Sequence, residues 1–359
     1  MTTRSTAAPT GVGSAPAGRG RIAVLGAVHE SLPMLQALLD DSRVEVVAVV
    51  TPSSTCQASG AVDLAAVARR YSVPAFEGLD LKSPEGLAIL ARSELDLMVV
   101  VGWTRLVPAP VLAIPRFGCV GFHASLLPRH RGRAPVNWAI IRGESRTGAT
   151  MLMLDAGVDT GPIVDQRPID IGLLDTCGTV YERVAAAGVE MMLEHLPALL
   201  AGRAPRYVQV SGGESDVLPK RTPEMGITDW ARPSLDVHNW IRALTHPYPG
   251  AFSFVGGDTV RFWRSEPGPA TSDDPKMRPG TVIGCADGGV LVAAAQGTVR
   301  LLVVEENGVE LPALLWFERA GRPVGTTFDP VDAATRRWAL GLGHAPERLT
   351  AAAPLAVAG

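Results

Sequence analysis

From Arg21 onward the chain alternates short, uninterrupted apolar runs with stretches whose apolar residues recur at helical spacing, and few folds accommodate that alternation. Ile22-Ala-Val-Leu-Gly26, Val44 to Val50, Leu95 to Val101 and Phe117 to Phe122 read as strands, most of them apolar on both faces, as strands of a covered parallel sheet are. Between them Glu30 to Leu39, with Leu32, Leu35, Leu38 and Leu39 on one stripe, reads as a helix, as do Ala61 to Tyr71 and Ser83 to Arg92. This pattern predicts an α/β fold, in which ligands bind outside the carboxyl ends of the strands.

The pattern changes along the chain. Residues 1–20 are rich in Ser, Thr, Ala, Pro and Gly and read as a disordered tail; their Gly11-Val-Gly13 has no strand before it, so it is no nucleotide loop. Thr147 to Leu154 and Ile163 to Ile171 read as a strand pair, and Pro135 to Arg142 as a short helix with proline in its first turn. Thr179-Val-Tyr-Glu182 has the form of a capping box, opening a helix to about Leu200. Residues 21–205 thus form one domain and 206–230 a linker. A short helix, Ser234 to Leu244 with Trp240 and Ile241 inward, opens a second domain, residues 231–328. Five short strands with glycine-rich turns follow (Phe252 to Val255, Thr259 to Trp263, Gly280 to Ile283, Gly289 to Ala294, Thr298 to Val304), the pattern of a small barrel. Residues 329–359 form a tail in which Arg336-Arg337-Trp338 fall on a terminal helix.

Composition excludes several function classes. The formal net charge of −3 gives no global basic field for nucleic acid. Cys56, Cys119, Cys177 and Cys285 form no CxxC pair, and no histidine cluster has metal-ligand spacing, so no metal is expected. Cys119 and Cys285 fall in apolar runs and are expected to pack as small hydrophobes, with reduced thiols in a cytoplasmic protein. There is no apolar run long enough to span a membrane and no signal-peptide pattern. A homodimer through the second domain stays open, without a residue pattern behind it.

One stretch carries chemistry: Gly121-Phe-His-Ala-Ser-Leu-Leu-Pro128, continued by Arg131-Gly-Arg-Ala-Pro135 and answered by Asp155-Ala-Gly-Val-Asp-Thr-Gly161. His123 leaves the end of an apolar strand, and its imidazole titrates near working pH, so it can take a proton from a nucleophile and return it to a leaving group. A carboxylate such as Asp159 would fix its tautomer and stabilise its cation. Pro128 and Gly132 shape the intervening loop, and Ser125 offers a hydroxyl within it.

These residues resemble the folate-dependent formyltransferases. The likeness runs through His123-Ala-Ser-Leu-Leu-Pro128, Arg131-Gly132, Ala134-Pro135-Val-Asn-Trp138, Gly143-Glu144, Thr147-Gly148-Ala-Thr150 and Gly157-Val-Asp-Thr-Gly161. Ile241-Arg-Ala-Leu-Thr-His-Pro-Tyr-Pro-Gly-Ala-Phe252 is similar to the opening of the C-terminal domain in the methionyl-tRNA and amino-sugar branch. The resemblance implies a Rossmann-like, parallel-sheet catalytic domain followed by an OB-like β-barrel. It implies 10-formyltetrahydrofolate as co-substrate, a primary amine as acceptor, and no metal. It selects His123, Asp159 and Ser125 as catalytic residues. Trp103, Leu106, Leu126, Leu127, Pro128, Gly157 and Val158 would meet the folate, and Arg131, Gly132 and Asn137 the acceptor. One position departs: where the family has asparagine, thought to steady the oxyanion, this chain has Gly121. Losing such a donor costs roughly two to three orders of magnitude in rate unless another replaces it, and Ser125, Asn137, a backbone N–H or protonated His123 are on offer.

The resemblance leaves two acceptor classes. In methionyl-tRNA formyltransferases a basic insertion after the second strand grips the tRNA, whereas Thr51 to Ala68 contains no Lys or Arg here. A small amine, most often a nucleotide-linked amino sugar but also an amino acid or peptide-like precursor, is the first expectation. Methionyl-tRNA is the alternative: Arg261, Arg264, Lys276, Arg278 and Arg300 would serve if they made one patch beside His123. A folate-binding homologue that is non-catalytic or of altered chemistry, with Gly121 as its mark, is the remaining reading.

Overall fold

A computed structural model describes residues 18–53, 58–210, 217–269, 277–319 and 321–346. The expectations for residues 1–17, Cys56, Lys276 and residues 347–359 lie outside them.

Seven strands form the first sheet: β1 (Gly20–Gly26), β2 (Val44–Thr51), β3 (Ala75–Glu77), β4 (Leu97–Val101), β5 (Cys119–His123), β6 (Arg146–Met153) and β7 (Ile163–Asp170). Their order is β3-β2-β1-β4-β5-β6-β7, parallel through β5 and antiparallel in the β6–β7 hairpin. Helices α1 (Ser31–Asp40), α2 (Leu64–Arg70), α3 (Pro84–Arg92), α4 (Ala109–Leu112), α5 (Pro135–Ile141) and α6 (Cys177–Leu200) accompany this sheet. The runs that read as apolar on both faces are buried on both: all five residues of β4 are inaccessible or nearly so. The tail expected through residue 20 ends sooner, because Gly20 already pairs with Val44 in β1.

Helix α6 begins earlier than Thr179-x-x-Glu182 suggested. Thr176 is the N-cap, its hydroxyl accepting from the Thr179 N–H while the Thr179 hydroxyl accepts from the Thr176 N–H. A threonine at the third position thus does the work expected of a glutamate, and Glu182 takes no part.

After a 3-10 turn (Pro223–Gly226) and α7 (Ser234–Leu244), the second sheet contains β8 (Ala251–Val255), β9 (Asp258–Pro267), β10 (Val282–Ala286), β11 (Gly289–Ala293), β12 (Thr298–Glu306) and β13 (Val309–Pro312). The order is β10-β11-β12-β9-β8, antiparallel, with β13 on β12. Between β8 and β10, the segment Gly325 to Asp329 bridges the gap. Val282 and Thr326 are hydrogen-bonded, the Phe328 N–H reaches Gly280 and the Asp329 N–H reaches Phe254. Phe328 then stacks on Trp230 and Trp316 and meets the edge of Phe262, forming the aromatic core of this half. Two short helices, α8 (Ala313–Arg319) and α9 (Ala333–Ala339), close the described chain.

Three expectations need correction. The described residues of the expected linker, 206–210 and 217–230, are held to the fold: Tyr207 bridges to Ile163, Leu218 bridges to Gly132 and Gln209 is buried. The tail from 329 is docked as far as α9, where Arg336 meets Asp229 at 2.6 Å. Cys285 is exposed, because its side of β10 faces solvent, while Cys119 and Cys177 are buried and burial pushes each thiol up to about 12.

Candidate active site

Strand β5 ends on His123 at the carboxyl edge of the sheet, next to the end of β4. A cleft of about 1680 Å³ opens there, bounded by both sheets' loops. His123 lies in its wall, only 8% exposed. Its Nε2 is 2.7 Å from the carbonyl oxygen of His130. A carbonyl can only accept, so Nε2 carries the proton and Nδ1 holds the lone pair in the neutral ring. Nδ1 stands 3.6 Å from Asp159 Oδ2. The tautomer is therefore set by a backbone carbonyl and not by Asp159, as the sequence suggested; the carboxylate is placed to stabilise the imidazolium.

Asp159 is held by its own contacts. Its Oδ2 accepts the Gly132 N–H at 2.8 Å. Gln209 Nε2 donates to the carbonyls of Asp159 and Gly161, both at 2.8 Å, and Gln209 Oε1 accepts from Arg131 Nε and Nη2. Gly132 has φ +99°, and a Cβ there would meet the Leu218 backbone oxygen at 2.6 Å, so only glycine fits. The other carboxylate of this loop, Asp155, accepts from the Gly157 N–H and the Thr160 hydroxyl and shapes the turn.

The expected site residues divide into two groups. Trp103, Leu106, Gly121, His123, Gly132, Gly157, Val158 and Asp159 line the cleft. Ser125, Leu126, Leu127, Pro128, Arg131 and Asn137 are absent from its wall. The Ser125 hydroxyl donates to the Arg129 carbonyl. Gln166 and Thr150 pin Leu127 to the β6–β7 hairpin. Asn137 is fully buried, giving Nδ2 to Ala243 and receiving the Tyr181 hydroxyl. Ser125 and Asn137 therefore cannot stand in for the missing asparagine donor. At Gly121 a Cβ would lie 2.5 Å from Leu154 Cδ2: a leucine fills the space an asparagine would enter.

Several wall residues went unread in the sequence: His29, Glu30, Leu154, Tyr181, His246 and Tyr248. His246 stacks on Trp263 at 3.8 Å. Burial pushes the Tyr181 and Tyr248 phenols above their usual range and raises the Glu30 carboxyl. Gln209 had no signal at all, lying in what read as linker.

Among the described residues one group has metal-ligand spacing, Asp165, Glu194 and His195. The Arg167 guanidinium already bridges both carboxylates at 2.8 and 2.7 Å, and none of these residues lines the cleft. Of the barrel arginines, Arg261 lines the cleft and pairs with Glu305, Arg264 pairs with Glu266 and Arg300 with Glu266 and Asp287, while Arg278 is exposed.

Residues 20–196 match the formyl transferase family model and 220–320 the formyl transferase C-terminal domain model. The chain belongs to the formyltransferase family. Methionyl-tRNA formyltransferase of Geobacter sulfurreducens is 35% identical over 295 residues, covering 79% of this chain and 92% of the relative. The same-named protein of Synechococcus elongatus is 35% identical over 309 residues, covering 80% and 93%. Among solved structures, HypX from Aquifex aeolicus in complex with tetrahydrofolic acid superposes with TM-score 0.60 at 21% identity, over 87% of this chain and 49% of that one. The Helicobacter canadensis N-formyltransferase, in complex with folinic acid and dTDP-3-aminofucose, gives 0.59 at 15%, over 79% and 98%. These two establish the fold. This formyltransferase is a folate-dependent enzyme, with 10-formyltetrahydrofolate as the one-carbon donor of its family. Its cleft suits such a molecule: Trp103, Leu106, Val107, Leu112 and Val158 give an apolar wall, and the buried Trp103 indole N–H has no partner of its own.

Proposed function

We propose that this enzyme formylates the primary amine of a small molecule, with His123 as the general base and acid, Asp159 as its electrostatic partner, and Trp103, Leu106, Gly157 and Val158 around the folate. The observation that carries the chemistry is the His123 ring itself, with Nε2 spent on the His130 carbonyl and Nδ1 left beside Asp159 in the cleft wall. When bound, 10-formyltetrahydrofolate supplies the formyl group. Nδ1 takes the proton the amine loses as its nitrogen bonds to carbon. Asp159, with Oδ2 3.6 Å from Nδ1, stabilises the resulting imidazolium by its charge, and the same proton then goes to the folate nitrogen that leaves. With no side-chain donor at Gly121, the imidazolium also offers positive charge in the cleft wall to the developing oxyanion.

For the acceptor, the curated relatives' names favour methionyl-tRNA over a nucleotide-linked amino sugar. Features of this chain argue for a small amine. Thr51 to Ala68 carries no Lys or Arg, and three of the barrel arginines, Arg261, Arg264 and Arg300, are matched by acids. Mass spectrometry after incubation with 10-formyltetrahydrofolate and a panel of methionyl-tRNA, nucleotide-linked amino sugars and free amino acids tests this. We expect a formylated small amine that disappears with His123→Ala. Formylated methionyl-tRNA as the product would replace the first reading with the second.

A further inference from the structure

His29 and Glu30 stand just past the carboxyl end of β1, at the start of α1, and both line the cleft. Neither ring nitrogen of His29 nor Oε2 of Glu30 has a hydrogen-bond partner, and all three atoms are buried. They stand 3.7 Å apart from Nδ1 to Oε2, near enough for charge attraction but too far for a hydrogen bond, so the hydrogen-bonding capacity of both stays open. Their neighbours do not fill it. Tyr181 meets the His29 ring edge-on, but its hydroxyl goes to Asn137, and the Tyr248 hydroxyl goes to Tyr181. The Ser31 hydroxyl is used on the Val101 carbonyl. Buried polar groups are ordinarily paired, and a carboxyl left open in the wall of a ligand cleft points to the ligand as its partner.

The sheet sets how far this pair is from the chemistry. Strands β1 and β5 are separated by β4 alone, so their ends lie about 10 Å apart at the usual strand spacing. That is too far for Glu30 to touch the nitrogen reacting at His123, yet within the span of one small molecule. Gly60 keeps the approach open, since a Cβ there would lie 2.7 Å from His29 Nδ1. The missing partner of a carboxylate is a donor, and an ammonium brings three together with the opposite charge.

We propose that Glu30, backed by His29, is an acceptor-recognition subsite that takes a cationic nitrogen other than the one formylated, making the acceptor a small diamine or a basic amino acid. This rests on the small-amine reading above. The apolar chain between the two nitrogens would pass Tyr181, Val184 and Phe122, which line the cleft with them.

Calorimetry tests this on the full-length enzyme saturated with 5-formyltetrahydrofolate, using 1,5-diaminopentane and pentylamine as probes. The diamine is expected to bind at least about tenfold more tightly than the monoamine, and Glu30→Gln to remove that difference. Folate affinity, checked on the same samples, shows that the isosteric variant keeps its fold. Equal affinities, no binding of either probe, or a preference that survives Glu30→Gln overturns the subsite. The two readings fail separately: formylated methionyl-tRNA in the acceptor panel removes the small-amine reading, whereas another formylated small amine without diamine preference removes only Glu30's role.

Discussion

The Nε2–H of His123 is given to the carbonyl oxygen of His130, 2.7 Å away, and this single bond decides which nitrogen faces Asp159. His130 is itself fixed by Glu144, whose carboxylate lies 3.0 Å from its Nε2, and it sits at φ +58°. The base is thus oriented from behind by the loop that follows it in sequence, and the carboxylate on the other side has only the charge to manage.

That division of labour separates two substitutions. Asp159→Asn keeps an oxygen to accept the Gly132 N–H and leaves the tautomer in place, so we expect kcat to fall about tenfold. His123→Ala removes the base itself and is expected to cost about 10²- to 10⁴-fold. Steady-state kinetics with the acceptor found in the panel measures both. A loss in Asp159→Asn equal to that in His123→Ala would mean the carboxylate does more than stabilise charge.

Gly121 and Leu154 form a second coupled pair. An asparagine at 121 meets Leu154 Cδ2, so Gly121→Asn alone is expected to change kcat less than about threefold, the leucine blocking the amide. Combining it with Leu154→Ala opens the space, and a recovered oxyanion donor would raise kcat by about 10² over Leu154→Ala. Non-additive kinetics across the double-mutant cycle is the readout. Independent effects would show that another group already serves the oxyanion.

Gln209 links Arg131, which is 5% exposed, to the carbonyls on either side of the Asp159–Gly161 turn. Gln209→Met strands a buried guanidinium, and we expect it to lower unfolding free energy by about 2–4 kcal/mol. Gln209→Glu keeps the arginine satisfied but aims a carboxylate at two carbonyl oxygens, which should loosen the turn and reduce kcat with a smaller loss of stability. Urea unfolding and kinetics on the same preparations compare them; two variants with identical losses would contradict this account.

The elements that positioned the site were legible because burial on both faces leaves an unmistakable apolar run, as in β4 and β5, and because His123 ends one of them. What the sequence hid were relationships between distant segments. Ser125 and Asn137 looked like site residues since their side chains can hydrogen-bond, but the fold spends those groups on Arg129, Ala243 and Tyr181. Gln209 looked like linker since nothing local orders it; its partners lie 48 to 78 residues away. Strand β13 and helices α8 and α9 are short and weakly patterned, and distant partners hold them: β12 pairs with β13, Trp316 of α8 stacks on Phe328, and Arg336 of α9 meets Asp229.

Glu144 ties pH to this architecture. Burial alone would push its carboxyl up, but the hydrogen bond from His130 and the charges of His130, Arg129 and Arg142 outweigh it and hold it below its ordinary 4.5. A carboxylate depressed in the folded state adds stability that is present above its unfolded value and is lost as pH falls through its folded one. Wild type should therefore exceed Glu144→Gln in unfolding free energy by on the order of 1 kcal/mol at pH 7, with the gap closing below about pH 4.5. Since the same contact holds the residue whose carbonyl orients His123, the variant should also lose kcat at pH 7, while its thermal midpoint lies closer to wild type at pH 4 than at pH 7. A stability gap that stays constant from pH 7 to pH 4 would show that Glu144 acts by shape and not by charge.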